Sequence, residues 1–365
     1  MCTNELNVNT TKRADQLQFL RFLAFLAIFQ QHTARWQIIP RSLALGMEAL
    51  SFFFVLSGVV SGYTAYGKDI QVSFKSVFGS VLKKIKKIYP LYLFTTIFSI
   101  LTTWIPNSIA NLEYSQMKAD FIQLIKNLLF IQSWFANGKL SYNGVTWFLS
   151  ILMFLCLFTS PFLHLLNRIS KLKHKYPVYI LLFITINLLF ILYYIGIHKN
   201  NPQYWIYSFP PSRLAEYLGG VLIGYVVRSL LVEHESCFNN TILFSFLEII
   251  AFVLWGVAAK IDAPEWIHYV ILWLIPNFYG VTVFCFGKGM LSRLFRNRFL
   301  VYLGDITLEC YLVHQIIITI YAELFDIAHI SLIGDAFSTF FCFFCTLFLA
   351  YLLHGKPLKS IWKKT

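Results

Sequence analysis

Arg21 and His32 stand eleven residues apart in the otherwise apolar stretch LQFLRFLAFLAIFQQHTARW, residues 17–36. Eleven helical steps of about 100° make three turns plus about 20°, so the two side chains share one face, about 16 Å apart along the axis. Gln18 and Arg35 fall on the same side. A histidine can take up a proton near neutral pH, and an arginine is a permanent cation suited to an anionic group. Purely structural roles also exist for both: Arg21 snorkelling to the inner headgroups and His32 bridging helices. A polar stripe at membrane depth cannot face lipid, so it faces other helices or a wet cavity, and intramembrane ionisable residues mark functional sites by default.

Four further groups of residues could join this chemistry. Glu48 lies in GMEALSFFFVLSGVVSGY, residues 46–63, about as far from the outer end of its helix as His32 is from its own. At that shared depth its carboxylate could orient or charge the imidazole, or neutralise another buried cation. Ser57, Gly58, Ser61 and Gly62 behind it are small residues at helix-packing spacing. The run KKIKKIYP, 83–90, puts four lysines before an apolar segment, an inner-side topology signal and a set of point charges for phosphates. In FPPSRLAEYLGGVLIG, 209–224, Arg213 and Glu216 are placed to pair at three residues' separation near the outer surface, as structural ions or as substrate contacts. Gly219, Gly220 and Gly224 admit a close neighbour there, and Tyr204, Trp205, Tyr207 and Phe209 precede it as an interfacial or sugar-stacking cluster. In LGDITLECYLVH, 303–314, Thr307, Tyr311 and His314 project one way while Asp305 and Glu309 project the other, so two polar surroundings are required.

The elements that must position these groups follow from composition. The chain has 365 residues, 58% hydrophobic, 18% aromatic and 13% charged, with mean hydropathy +0.64. That is an all-α, polytopic integral membrane protein with no room for a soluble domain. Apolar runs predict ten spans, near 17–36, 44–66, 88–105, 145–167, 178–197, 213–232, 241–259, 266–286, 301–323 and 331–354. With both termini cytoplasmic, 21 of the 30 Lys and Arg fall on the inner side, eight fall outside and Arg21 lies within a span. The net charge of +13 is therefore topology rather than a nucleic-acid groove. The domains expected are a cytoplasmic tail at 1–16, a transmembrane domain at 17–354 and a basic cytoplasmic tail at 355–365. The first span has no cleavage site and is not a signal peptide. Asp120 to Trp134 is apolar but short, which suits an interfacial or re-entrant helix.

Several chemistries are excluded. The seven cysteines lie in spans or cytoplasmic segments and give no disulfide framework, and the CxxC of Cys342 and Cys345 sits in a Phe-rich membrane helix. No zinc-ligand spacing, GxSxG elbow or Walker loop occurs, so no metal is expected. Ten spans with buried charges also describe a transporter or flippase, but no second copy of the first span supports an internal repeat. The inner segments are too short for a sensor's output domain.

Taken together these motifs resemble the membrane-bound acyltransferase family 3, which modifies bacterial cell-surface glycans. Arg21 and His32 match its R-x10-H signature, GMEALSFFFVLSG its (D/E)-x-FFVLSG span, and KKIKKIYPLYL its R-x-x-R-I-x-P loop. TWFLSILMFL at 146–155, FPPSRLAEYLGG and LGDITLECYLVH match further segments, in order from about 15 to 320. The resemblance implies an acetyl-CoA-dependent O-acetyltransferase of the bacterial cytoplasmic membrane. Its donor is cytosolic acyl-CoA, a co-substrate rather than a bound cofactor, and its acceptor a hydroxyl of a polysaccharide or lipid-linked glycan. Other glycan-assembly enzymes or a second copy are the further partners. On this reading His32 is the general base or an acyl-carrying nucleophile, and Glu48 holds its tautomer. Arg21 stabilises the oxyanion or holds the CoA arm with Lys84 and Lys87, and Arg213, Glu216, Trp147 and His314 meet the acceptor. Lysines replace the two arginines of R-x-x-R, keeping charge without the planar fork. No SGNH-type domain follows the last span, which implies direct transfer or hand-over to a separate protein.

Overall fold

The computed structural model describes residues 13–36, 45–104, 114–136, 142–327 and 335–355, all of them in helices, turns or irregular segments. Lys12, most of the expected N-terminal tail, much of 106–144 and all but the first residue of the C-terminal tail lie outside them. The chain opens with α1 (Gln16–His32), α2 (Gly46–Ala65) and α3 (Phe74–Ser99), followed by α4 (Tyr114–Leu128). Next come α5 (Trp147–Leu157), α6 (Thr159–Ile169), α7 (Lys175–Ile197), α8 (Leu214–Glu233) and α9 (Thr241–Ala258). It ends with α10 (Leu272–Phe286), α11 (Met290–Phe295), α12 (Arg298–Asp305), α13 (Thr307–Ile327) and α14 (Asp335–Leu353).

Among the described residues, six helices are long and apolar enough to cross a membrane, and eight if the bent pairs α5–α6, at 40°, and α12–α13, at 58°, each count as one span. Two of the ten expected spans fall elsewhere. The first is α1, whose 17 residues cover about 25 Å. The third is the far half of α3 with the π-helical turn Ile100–Trp104; its near half carries the exposed lysines. α4, at 15 residues, is short for a span, and Phe121 and Leu129 on and just after it are exposed. Helix α7 shows how composition becomes architecture: apolar all round, it leaves Leu181, Leu188 and Leu189 exposed, as lipid permits.

The packing centre is a parallel contact between α2 and α8, made through glycines from both helices. A Cβ on Gly62 would lie 1.9 Å from the Val221 carbonyl oxygen, and one on Gly224 would lie 2.0 Å from that of Val59. Gly58 and Gly220 meet Tyr217 and Val55 one turn earlier in the same way. Among lipid tails a hydrophobic driving force between helices is missing, so such backbone-to-backbone approach is what holds them. Helix α1 packs on α2 and runs beside α12 and α13. Where it passes α12, the backbone of Gln18 leaves no room for a side chain at Gly304. The 58° bend just after that contact turns α13 so that it lies alongside the C-terminal half of α1.

Candidate active site

That bend brings together two histidines 282 residues apart. His32 Nδ1 and His314 Nε2 are 3.0 Å apart, with ring centroids at 4.9 Å and planes 20° apart. His314 is fully buried, set edge-on to Phe25 at 5.5 Å and tilted against Phe29 and Tyr311. His32, the last residue of α1, is half-buried.

The hydrogen bonds leave one consistent proton assignment for a neutral pair. His314 Nδ1 lies 2.7 Å from the carbonyl oxygen of Tyr311 and 3.3 Å from that of Cys310. A carbonyl only accepts, so Nδ1 carries the hydrogen and Nε2 is left as an acceptor. His32 must then donate from its own Nδ1. Its Nε2, which has no hydrogen bond to the described residues, then keeps its lone pair, which is the arrangement a general base needs.

The structure therefore corrects the expected partner of His32. Glu48 lies level with the end of α1, since Gly46 packs on Gln31, but no hydrogen bond joins Glu48 to His32 among the described residues. Glu48 instead lines a cleft with Leu20, Leu23, Ala24 and Ala27 of α1. Leu20 and Ala27 lie more than about 100° round the helix from His32. Depth alone does not bring groups together when they sit on different faces.

Arg213 and Glu216 form the expected i,i+3 pair at 2.8 Å, with both side chains fully buried rather than at the outer surface. Arg213 also donates to the carbonyls of Tyr207 and Tyr269, and Ser51 donates to Glu216. The guanidinium stacks over Phe54 and Tyr207 at 5.3 and 5.1 Å. From this hub aromatic contacts run through Phe54 and Phe148 to Tyr311, and so to His314. Trp147 is buried against Tyr207 at 5.0 Å. The pair and the tryptophan thus brace the helix that carries His314. Of the aromatic cluster, Tyr204, Trp205 and Phe209 pack on one another, with Trp134 against Phe209.

The basic groups lie at the opposite end. Arg21 donates to Gln18, near the Arg13–Asp305 ion pair. Lys84 reaches across to Cys156 at 3.0 Å, beside Tyr217, whose hydroxyl bonds to Thr159. Burial alone would lower the Lys84 ammonium, but Tyr217 and Cys156 outweigh it and hold it above its ordinary value, so it is a cation at neutral pH. Lys87 is exposed on a neighbouring face of α3. Two helices agree on the distance separating these groups from the histidines. Along α1, Arg21 to His32 is about 16 Å, and along α5, Trp147 to Cys156 is about 14 Å; the start of α5 is tied to the histidine level where Tyr311 donates to Val145 at 2.7 Å. No group of three metal-ligating side chains occurs among the described residues.

The chain matches the family model described as an acyltransferase domain over residues 15–355. It belongs to acyltransferase family 3. It is similar to the acyltransferase MdmB of Streptomyces mycarofaciens, with 24% identity over 333 residues that cover 84% of this chain and 79% of the relative. No solved structure matches. With its several long apolar helices, this acyltransferase family 3 member is a multi-pass membrane acyltransferase.

Proposed function

We propose that the protein transfers an acetyl or related acyl group from cytosolic acyl-CoA to a hydroxyl of a cell-surface polysaccharide or its lipid-linked precursor. It would do so in the bacterial cytoplasmic membrane, with both termini inside. The observation that carries this reading is the ordered pair His32–His314, whose outer nitrogen is left free to take a proton.

In the reaction, His32 Nε2 accepts the proton of the acceptor hydroxyl as its oxygen attacks the thioester carbonyl carbon. The C–O bond forms, the C–S bond breaks, and the proton passes from His32 to the departing thiolate. General-base assistance of this kind is typically worth about 10²–10⁴-fold. His314, fixed by the Tyr311 carbonyl, is the positioning residue in the role first expected of Glu48. Arg21, Lys84 and Lys87 sit about 14–16 Å to the cytoplasmic side. That separation suits holding the donor's phosphates and arm better than stabilising an oxyanion beside His32. The acceptor class rests on the family resemblance.

The reading is tested by supplying acyl-CoA labelled on the acyl group to purified wild type and His32→Ala in bilayers. Wild type consumes the donor in the presence of a glycan acceptor, and the variant, folded to the same melting temperature, does not. Near-normal transfer by the variant removes His32 from the mechanism.

A further inference from the structure

Helix α3 starts well before the apolar run that it carries into the bundle. The Ser73 side chain accepts from the Ser76 amide at 3.1 Å, and the Ser76 side chain accepts in return from the Ser73 amide at 2.9 Å. This reciprocal cap sets the helix start ahead of the lysines. From Phe74 to Ile88 the chain holds five lysines and no acidic residue. The near half of α3 is therefore a fixed rod of one charge sign.

Helical steps of about 100° divide that rod into three sectors. Val77 and Val81, at about 300° and 340° from Phe74, face the bundle; Val81 is buried and Val77 half-buried, and Lys84 on the same side reaches Cys156. Phe74, Phe78 and Leu82 form a stripe within about 80°, and they are 80%, 42% and 53% exposed. Lys75, Lys86 and Lys83 follow at about 100°, 120° and 180°. All three are exposed, and none is paired with a carboxylate among the described residues.

An apolar stripe beside an unneutralised basic one suits a helix at a membrane surface, with its apolar side in the acyl boundary and its lysines among anionic headgroups. The far half of the same helix locates that surface. Phe94 and Ile97, at about 200° and 140°, continue the line of the exposed lysines and are themselves 38% and 47% exposed. In a membrane-spanning segment they meet lipid tails. Along that line from Phe94 to Lys86, eight residues or about 12 Å, apolar side chains give way to lysines, as hydrocarbon gives way to phosphate. The exposed sectors are thus continuous with the lipid-facing surface, which favours a lipid occupant over a soluble protein.

We propose that the near half of α3 is a docking surface for anionic phospholipid headgroups of the cytoplasmic leaflet. Lys75, Lys83 and Lys86 hold the phosphates as point charges, and Phe74, Phe78 and Leu82 enter the acyl boundary beside them. Each lysine at such a surface is worth about fivefold in binding. The surface stands independently of the acyl-transfer reading, and it leaves Lys84 and Lys87 to the donor.

The test places p-benzoylphenylalanine at Phe78, and as a control at Ile97, in the full-length protein within nanodiscs of equal phosphatidylglycerol and phosphatidylcholine. After photolysis the adducts are identified by mass spectrometry. The probe at position 78 is expected to capture phospholipid enriched severalfold in phosphatidylglycerol, and the probe at position 97 to capture both lipids equally. Lys75→Gln, Lys83→Gln and Lys86→Gln combined should bring the ratio at position 78 close to one, as should salt of about 0.5 M, which shortens the reach of surface charges. No lipid adduct at position 78, with adducts still formed at position 97, overturns the proposal and assigns the exposed stripe to a soluble acidic partner. Equal capture of the two lipids by the wild-type lysines, or an enrichment that the triple substitution leaves unchanged, overturns it as well, since the lysines would then select nothing.

Discussion

Replacing Gly62 by alanine should separate the two helices on which the rest of the bundle rests. The new Cβ would sit 1.9 Å from the Val221 carbonyl oxygen, against an ordinary carbon–oxygen contact of about 3.3 Å or more. The helices must therefore part by roughly 1 Å or distort locally, because the atom met is backbone and cannot rotate away. Overpacking of this kind costs about 1–3 kcal/mol. The matched control is Gly256→Ala on α9, where a Cβ meets nothing within 4 Å and where helix propensity predicts a gain of up to about 1 kcal/mol. The two substitutions, chemically identical, should thus shift stability in opposite directions. Thermal unfolding of the purified protein in one detergent measures both. Adding Gly58→Ala to Gly62→Ala should cost less than the sum of the singles, since one displacement relieves both clashes. Equal melting temperatures for Gly62→Ala and Gly256→Ala, or strict additivity of the double variant, would refute the backbone-contact argument.

Two further outcomes follow from the site. His314→Ala removes the acceptor for the His32 Nδ1 hydrogen and should lower kcat by about 10²–10⁴-fold with little change in KM for the donor; His314→Gln, whose Oε1 can accept the same hydrogen, should recover part of it, and steady-state kinetics separates the two. Lys84→Met should raise KM for acyl-CoA by about tenfold with kcat unchanged, the low end for a charge-assisted contact because the ammonium is only partly covered, while Lys84→Arg keeps wild-type KM.

The sequence made some of this geometry readable and hid the rest for identifiable reasons. Periodicity within one helix is local, so the shared face of Arg21 and His32 and the pairing of Arg213 with Glu216 could be inferred from spacing alone. The small residues Gly58, Gly62, Gly220 and Gly224 announced a close helix contact, although not that they would meet one another. Which helix faces which is a non-local fact. Glu48 lies level with the end of α1 but on another face of it from His32, because level follows from distance to a helix end whereas facing depends on how neighbouring helices are rotated. The partnership of His32 with His314 depends on the bend after Asp305, and Gly304 just before it did not by itself say whether the helix bends there or only packs closely. Tyr311 and His314 on one helix face were the available signal. The full burial of Arg213 and Glu216 was equally hidden, since their further partners come from Ser51, Tyr207 and Tyr269 on three other segments.

The most direct measurement uses sealed membrane vesicles of known orientation, given acyl-CoA labelled on the acyl group, with wild type compared to His32→Ala. The account predicts that wild type takes label from the cytoplasmic face only and delivers it to glycan on the outer face, and that His32→Ala delivers none. Equal labelling by the two proteins, or uptake of donor from the outer face, would contradict it.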